Sequence, residues 1–289
     1  MFKVSCPAKI NLFLKLTGKR PNGYHELESL FAFLDLADEL EVTKLSQNLE
    51  NPQIEIVGEF GELVDEKNNL FTKILNYFAD QFKISKNLHI KITKNIPVGA
   101  GLGGGSSDAA FFMKALNEIF SLKLSKIELQ KISINFGSDI AFFFEDQASI
   151  VKGCGELIEN FSSFKPIPTL LINPKIHLST KEIFSKFDGN FSQEISNAIL
   201  QRIDVLELIK TLPNCLTKSA IANAAKIAEI LDEMKNEGAE IAKMSGSGST
   251  CFAIFDSEDQ LEIAYQNFTK KFPEFFVRKS KILSNYHSN

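Results

Sequence analysis

PVGAGLGGGSSDAA, Pro97 to Ala110, packs five glycines into the seven residues from Gly99 to Gly105, then two serines, an aspartate and the start of an apolar-periodic segment. A glycine-rich turn running into a helix brings several backbone N–H groups close to an anion with no Cβ in the way. The helix N-terminus behind it adds unpaired donors and the positive end of a dipole, so the guest it suits is a phosphate chain. No Gly-Lys-Ser/Thr closes the loop, which excludes a Walker A motif. Gly99, Gly101 and Gly104 do form G-x-G-x-x-G, and a nicotinamide-dependent oxidoreductase stays open as a second reading. That fingerprint requires a strand running straight into the first glycine and an acidic residue ending a second strand about 20 residues on. Here Asn95, Ile96 and Pro97 intervene, and no strand ending in Asp or Glu follows the helix. A flexible linker fits poorly, because the glycines lie between two strongly patterned segments.

Upstream, Leu88, Ile90 and Ile92 alternate as a strand that delivers the chain to the loop, and Leu70, Phe71, Ile74, Leu75, Phe78 and Phe82 fall at helical spacing. Downstream, a helix is expected from Ser106, burying Ala109, Ala110, Met113, Leu116 and Phe120, with Ser106, Ser107 and Asp108 in its first turn. Hydroxyls there can cap the helix or meet a phosphate or its metal ion, and both can hold. Asp108 reads as a structural first-turn acid. Ser125 to Glu128 is a capping box for a helix that Gly137 ends, after which Asp139 stands at the mouth of the apolar run Ile140 to Phe144.

Residues 2–16 read as a strand broken at Pro7, with Lys9 and Asn11 on one face and Ile10, Leu12 and Leu14 pointing the other way into the core. Arg20 to His25 is a turn on Pro21-Asn22-Gly23 that presents Tyr24 beside His25, rings able to stack on a base and hydrogen-bond its edge. Residues 27–43 and 53–57 read as strands. In the second half 169–172 is a strand, Ser179 to Glu182 caps a short helix carrying Phe184, and helices are expected at about 193–210 and 217–236. KMSGSGSTCFAIF, Lys243 to Phe255, is strand, glycine-serine loop, strand; a helix over 257–271 and a strand over 275–282 follow.

The 289 residues suggest one large or two ordinary domains, and 44% hydrophobic with 24% charged residues is the make-up of a globular protein with a sizeable core. A net charge of −4 gives no footprint for nucleic acid or an anionic membrane. Lys9 and Asn11 interrupt the early apolar stretch, so no signal peptide is expected, and no run reaches the ~18 residues of a membrane span. Cys6, Cys154, Cys215 and Cys251 are far apart without metal spacing and read as reduced thiols of a cytoplasmic protein. Arginine occurs only at Arg20, Arg202 and Arg278, so phosphate charge would fall to backbone amides and lysines.

Pro97 to Ala110 resembles the phosphate-binding loop of the GHMP kinases, the superfamily of galactokinase, homoserine kinase, mevalonate kinase and phosphomevalonate kinase. Gly103-Gly104-Gly105 before Ser106-Ser107 is similar to the branch that phosphorylates 4-diphosphocytidyl-2-C-methyl-D-erythritol. PAKINL from Pro7, GYH from Gly23, GSDI from Gly137 and the Lys243–Phe255 stretch resemble further family motifs, in family order over nearly the whole chain. Asn214-Cys215-Leu216 departs from the family's usual Asn-Asp-Leu.

The resemblance implies an α+β, two-domain fold: a ribosomal protein S5 domain 2-like N-terminal, ATP-binding domain over 1–160 and a ferredoxin-like C-terminal domain over 161–289, with both substrates in the cleft between. It implies Lys9 and Asp139 as the catalytic pair. ATP phosphates would lie on Pro97, Val98, Gly99, Ala100, Gly101, Leu102, Gly103, Gly104, Gly105, Ser106 and Ser107. Asn11, Tyr24, His25 and Phe184 would hold the acceptor, with Phe184 covering a second face of its cytosine; burial of Phe184 in the core is the competing reading. The cofactors implied are ATP and Mg²⁺, the latter with unidentified protein ligands. The implied reaction moves the γ-phosphoryl of ATP to the acceptor's 2-hydroxyl in the non-mevalonate route to isoprenoid precursors. The partner is this small molecule, with no nucleic acid and no membrane. Homoserine or mevalonate is the nearer alternative acceptor, and Tyr24-His25 argues against both, since neither carries a base to stack.

Overall fold

Two long antiparallel strands, β1 (Phe2–Lys19) and β2 (His25–Lys44), joined by the Pro21-Asn22-Gly23 turn, organise the chain. The computed structural model describes residues 1–46, 51–64 and 69–286. β3 (Gln53–Val57), α1 (Leu70–Phe82) and β4 (Leu88–Thr93) follow, then the glycine loop, α2 (Gly104–Ile119), α3 (Lys126–Ser133) and a 3₁₀ turn over Ile140–Phe144. β5 (Ser149–Gly153), β6 (Leu157–Asn160) and β7 (Ile167–Asn173) lead into α4 (Thr180–Ser185), α5 (Asn197–Leu200), α6 (Val205–Thr211), α7 (Thr217–Asn223) and α8 (Lys226–Asn236). β8 (Ile241–Met244), β9 (Cys251–Ile254), α9 (Glu258–Lys271) and β10 (Phe276–Leu283) complete the described chain.

The sheet runs β3-β4-β2-β10-β7-β9-β8, with β1 and β5 also on β2 and β6 on β5. β10 ties the halves together: Ile282 and Leu283 pair with Leu34 and Phe33, while Phe276 to Ile282 pair with β7. Among the described strands only β3 and β4 pair in parallel. A dinucleotide fold needs a parallel sheet, so G-x-G-x-x-G here belongs to a different architecture, and the oxidoreductase reading falls.

The core is built on phenylalanine: Phe33 stacks on Phe142 at 4.7 Å and Phe71 meets Phe112 edge-on at 5.0 Å. Full burial of one such ring contributes about 1.5–3 kcal/mol. Pro7 shows as a bulge within a single strand, where the register jumps from Pro7↔Ala37 to Lys9↔Phe33. A second shift falls between Asn11 and Phe13. It separates Leu14, which packs with Leu16 and Phe31, from Ile10 and Leu12 in the opposite cluster, so the expected common face for all three is corrected.

α2 starts two residues before Ser106, at Gly104, because Gly103 adopts φ 69° as its N-cap and no described side chain caps it. Ser106 and Ser107 are therefore not caps. The helix expected at 193–210 breaks into α5 and α6, with Asp204 starting the second by accepting from the Leu206 N–H. The one expected at 217–236 breaks at Ala224, whose φ −146° and ψ 88° interrupt α7 and α8.

Candidate active site

A cavity of about 1090 Å³ opens between the glycine loop, the Tyr24-His25 turn and α4. Its wall includes Lys9, Asn11, Tyr24, His25, Asp139 and Phe184, together with Pro97 to Gly101 and Gly103 to Ser106 of the loop. Two of the expected phosphate-loop residues lie behind that wall. Leu102 is fully buried and its carbonyl accepts from the Lys9 N–H at 2.9 Å. Ser107 is buried too, and its Oγ has no hydrogen-bond partner among the described residues.

The loop has the geometry its composition demands. Gly99, Gly101 and Gly103 take φ 65°, 77° and 69°, the left-handed region closed to most side chains. A Cβ on Gly101 would lie 2.3 Å from the Ser245 carbonyl, and one on Gly103 2.8 Å from Lys9 Cγ. The first glycine lets the Ser245–Thr250 loop pack backbone to backbone against this one; the second makes room for Lys9. The two loops are also bonded, Thr250 N–H to the Ala100 carbonyl at 3.2 Å and Ser245 Oγ to the Gly101 carbonyl at 3.0 Å. Asn214 donates to the Met244 and Gly246 carbonyls, each at 2.8 Å, which ties the 214–216 segment to the second loop through its asparagine; Cys215 takes no part in these bonds.

Lys9 is buried and held from three sides. Its Nζ donates to Asn11 Oδ1 at 2.6 Å, lies 3.3 Å from Asp139 Oδ2 and sits 4.7 Å from the centre of the Phe31 ring. Asn11 in turn donates from Nδ2 to Ser29 Oγ at 2.9 Å, so both ends of its amide are engaged within the protein. Asp139 precedes the 3₁₀ turn without capping it, and its side chain is about one-third exposed (32%). A buried ammonium thus faces a carboxylate that reaches solvent, directly beside a glycine-rich helix start.

At the other end, Tyr24 is exposed on its turn and the His25 ring lies 5.7 Å from Phe184, 6.2 Å from Phe187 and 6.2 Å from Phe191. Phe184 is half-buried and touches both the core and the cavity. Burial, and then the charge of Lys19, push the His25 pKa below its ordinary value. Near pH 7 the ring is therefore neutral, one nitrogen donating and the other accepting. Phe187 and Phe191 escaped notice in the sequence, although the F-x-x-F-x-x-x-F spacing from Phe184 was there to be read.

A second ionic cluster lies under the loop. Lys94, at the end of β4, bonds Asp38 Oδ2 and, at 2.5 Å, Asp108 Oδ2. Asp38 Oδ1 also accepts from the Asn95 and Ile96 N–H groups at 2.5 and 2.9 Å, which fixes the approach to Pro97. Asp108 has its pKa pushed up to about 7, first by burial and then by Asp38, against the opposing pull of Lys94. Burial opposes the charge on Lys94, yet the two carboxylates outweigh it and raise its pKa. Asp108 is thus poised to take up or release a proton near neutral pH while Lys94 stays charged. Asp38, Leu40 and Val42 are the alternate buried positions of β2, and a charge in that inward series was the available signal.

Residues 69–147 match the GHMP kinases N-terminal domain and residues 197–274 the GHMP kinases C-terminal domain. These are small-molecule kinases with ATP as phosphate donor. The chain is 33% identical to the 4-diphosphocytidyl-2-C-methyl-D-erythritol kinase of Wolbachia pipientis wMel over 98% of its length and 99% of the relative's. It is 35% identical to the same-named kinase of the Wolbachia of Brugia malayi, again over 98% and 99%. A crystal structure of a 4-(cytidine 5'-diphospho)-2C-methyl-D-erythritol kinase superposes with TM-score 0.80 at 25% identity, covering 98% of this chain and 99% of that one. The chain belongs to the GHMP kinases and, within them, to the family of 4-diphosphocytidyl-2-C-methyl-D-erythritol kinases.

Proposed function

We propose that this chain transfers the γ-phosphoryl group of ATP to the 2-hydroxyl of 4-diphosphocytidyl-2-C-methyl-D-erythritol. One observation carries the reading: a single cavity joins a phosphate-type glycine loop, a Lys9–Asp139 pair and a ring-lined corner of Tyr24, His25 and Phe184. The apolar end between β3, β4 and α1, with Ile56, Leu70, Phe71 and Ile92, suits a purine. Triphosphate then lies along the N–H groups of Gly99 to Ser106, and the cytosine enters the ring-lined corner. The acceptor hydroxyl falls between them at Asp139, which takes its proton, while Lys9 stabilises charge on the group in transfer. Asn11 acts by holding the Lys9 ammonium in place.

The residues fit a Mg²⁺ that arrives on the nucleotide. Among the described residues no group of three His, Cys, Asp or Glu could hold a metal by itself, and Mg²⁺ commonly keeps phosphate oxygens and water as most of its shell. Ser106 and Asp139 supply hard oxygen donors on the cavity wall, whereas Ser107, expected among the phosphate-loop residues, is buried behind it. When bound, the ion would neutralise charge on the phosphates. The division into a nucleotide-binding unit over 1–160 and a second unit over 161–289 is part of the same proposal; the two family matches fall on either side of residue 160. No helix among the described residues is long and apolar enough to cross a membrane, and the four cysteines are free thiols, in keeping with a cytoplasmic enzyme.

ADP release in a coupled assay, with the cytidyl acceptor, mevalonate and homoserine offered side by side, tests the reading. Turnover with the cytidyl acceptor alone is expected. Turnover with another alcohol would overturn the acceptor and leave the kinase.

A further inference from the structure

His25 opens β2, yet two of the three phenylalanines around it come from an irregular segment some 160 residues later in the chain. That segment, residues 186–196, is bonded at both ends. At its start the Lys186 carbonyl accepts from Ser219 Oγ at 3.0 Å, and at its finish the Ser192 N–H donates to the Leu16 carbonyl at 2.8 Å. Beyond Ser192 the attachment becomes ionic. Glu28, fully buried on β2, accepts the Ile195 N–H at 3.1 Å and lies between Lys15 at 2.8 Å and Lys152 at 3.0 Å. The same lysines reach the segment's backbone: Lys15 Nζ bonds the Gln193 carbonyl at 2.5 Å and Lys152 Nζ the Ile195 carbonyl at 3.0 Å.

A buried carboxylate between two lysines is costly to desolvate and is weak evidence for stability. Here it secures a segment that buries little of itself: Phe191 is 43% exposed and Gln193 and Glu194 are exposed. What the attachment does fix is geometry. Phe187 and Phe191 lie 5.5 Å apart and both face the His25 ring. The anchor is three residues from His25 on the same strand, so ring and cage share one rigid support. An imidazole that must hydrogen-bond the edge of a flat base needs a fixed plane, and its second torsion is soft when nothing packs against it.

We propose that residues 186–196 form a strap that sets the plane of His25 for the acceptor's pyrimidine ring, with Phe187 and Phe191 as positioning residues and Glu28 as the anchor. The inference rests on the cytidyl reading above. Phe187→Ala and Phe191→Ala in the full-length enzyme are expected to raise KM for the cytidyl acceptor about tenfold. At the same time kcat at saturating acceptor and KM for ATP should stay within about twofold, and Phe191→Tyr should restore the acceptor KM. Glu28→Gln should give the same split between substrates; should it not fold, the half-buried Phe187 and the exposed Phe191 still decide. Unchanged acceptor KM in both alanine variants, or an equal loss toward ATP and acceptor, overturns the strap. His25→Ala separates the two levels. If it raises the acceptor KM while the phenylalanine variants do not, the strap alone is wrong; if the wild-type enzyme turns over a baseless alcohol instead, both fall.

Discussion

Lys9 and Lys94 line one cavity and are buried to the same degree, 3% and 4% exposed, but their carboxylates are not. Asp139 beside Lys9 keeps about a third of its side chain open (32%); Asp38 and Asp108 around Lys94 keep 0% and 8%. Lys94 has all its charge answered inside the protein, with Asp38 also gripping the backbone of Asn95 and Ile96. Lys9 is steadied by one amide and one ring and left with a solvent-facing partner. The sealed cluster shapes the loop; the open pair is free to change partners when substrate arrives. Burial alone would not distinguish them, whereas the exposure of the counter-ion does.

The sharpest way to break the contrast is Lys94→Met. It keeps the length of the side chain and leaves the buried side chains of Asp38 and Asp108 without their cation. Removing one partner of a buried ionic cluster costs about 3–5 kcal/mol, so urea denaturation should show a loss of that size with the loop destabilised. A loss under ~1 kcal/mol would mean that the cluster is not sealed. Asp139→Asn should do the reverse: turnover falls by about 10² or more while ATP affinity and stability are little changed. A near-normal rate would remove Asp139 from the chemistry and leave Lys9 without its proposed partner.

Much of this was legible in the sequence, for a physical reason. Glycines at positive φ, the Pro-Asn-Gly turn and the Ser125 capping box are local requirements, and local requirements leave local marks. Lys9 and Asn11 stand out as a polar pair on an otherwise apolar strand, a pattern that by itself suits a solvated face; their proposed roles come from the resemblance of PAKINL to a family motif. Three of the misses are tertiary. Gln193 to Ile195 were expected to be helical, but their backbone bonds are taken by Lys15, Lys152 and Glu28, and α5 starts only at Asn197. Leu14 was placed on the wrong face because a bulge resets the alternation without a sequence marker as plain as proline. Asp108 was expected to serve its own helix, yet it serves a lysine on another element, 14 residues away.

That last residue gives the finest test of the contrast, because a sealed cluster with one acid too many must titrate. The ordinary Asp pKa is near 4, and in the fold Asp108 is raised to about 7, by burial first and then by Asp38. Between those values the folded state holds a proton that the unfolded chain has released. The stability this proton contributes is complete below about pH 4 and lost as pH rises through about 7, with a slope of up to about 1.4 kcal/mol per pH unit. Asp108→Asn mimics the neutral acid and cannot titrate. Wild type and variant should therefore match most closely near pH 5, and the variant should gain relative to wild type as pH rises to 8, a difference that cancels the titration of groups outside the cluster. Denaturation midpoints of the two proteins at pH 5, 6, 7 and 8 check it. A constant difference across that range would show that Asp108 stays ionised beside Lys94, and the cluster would then carry a net negative charge inside the protein.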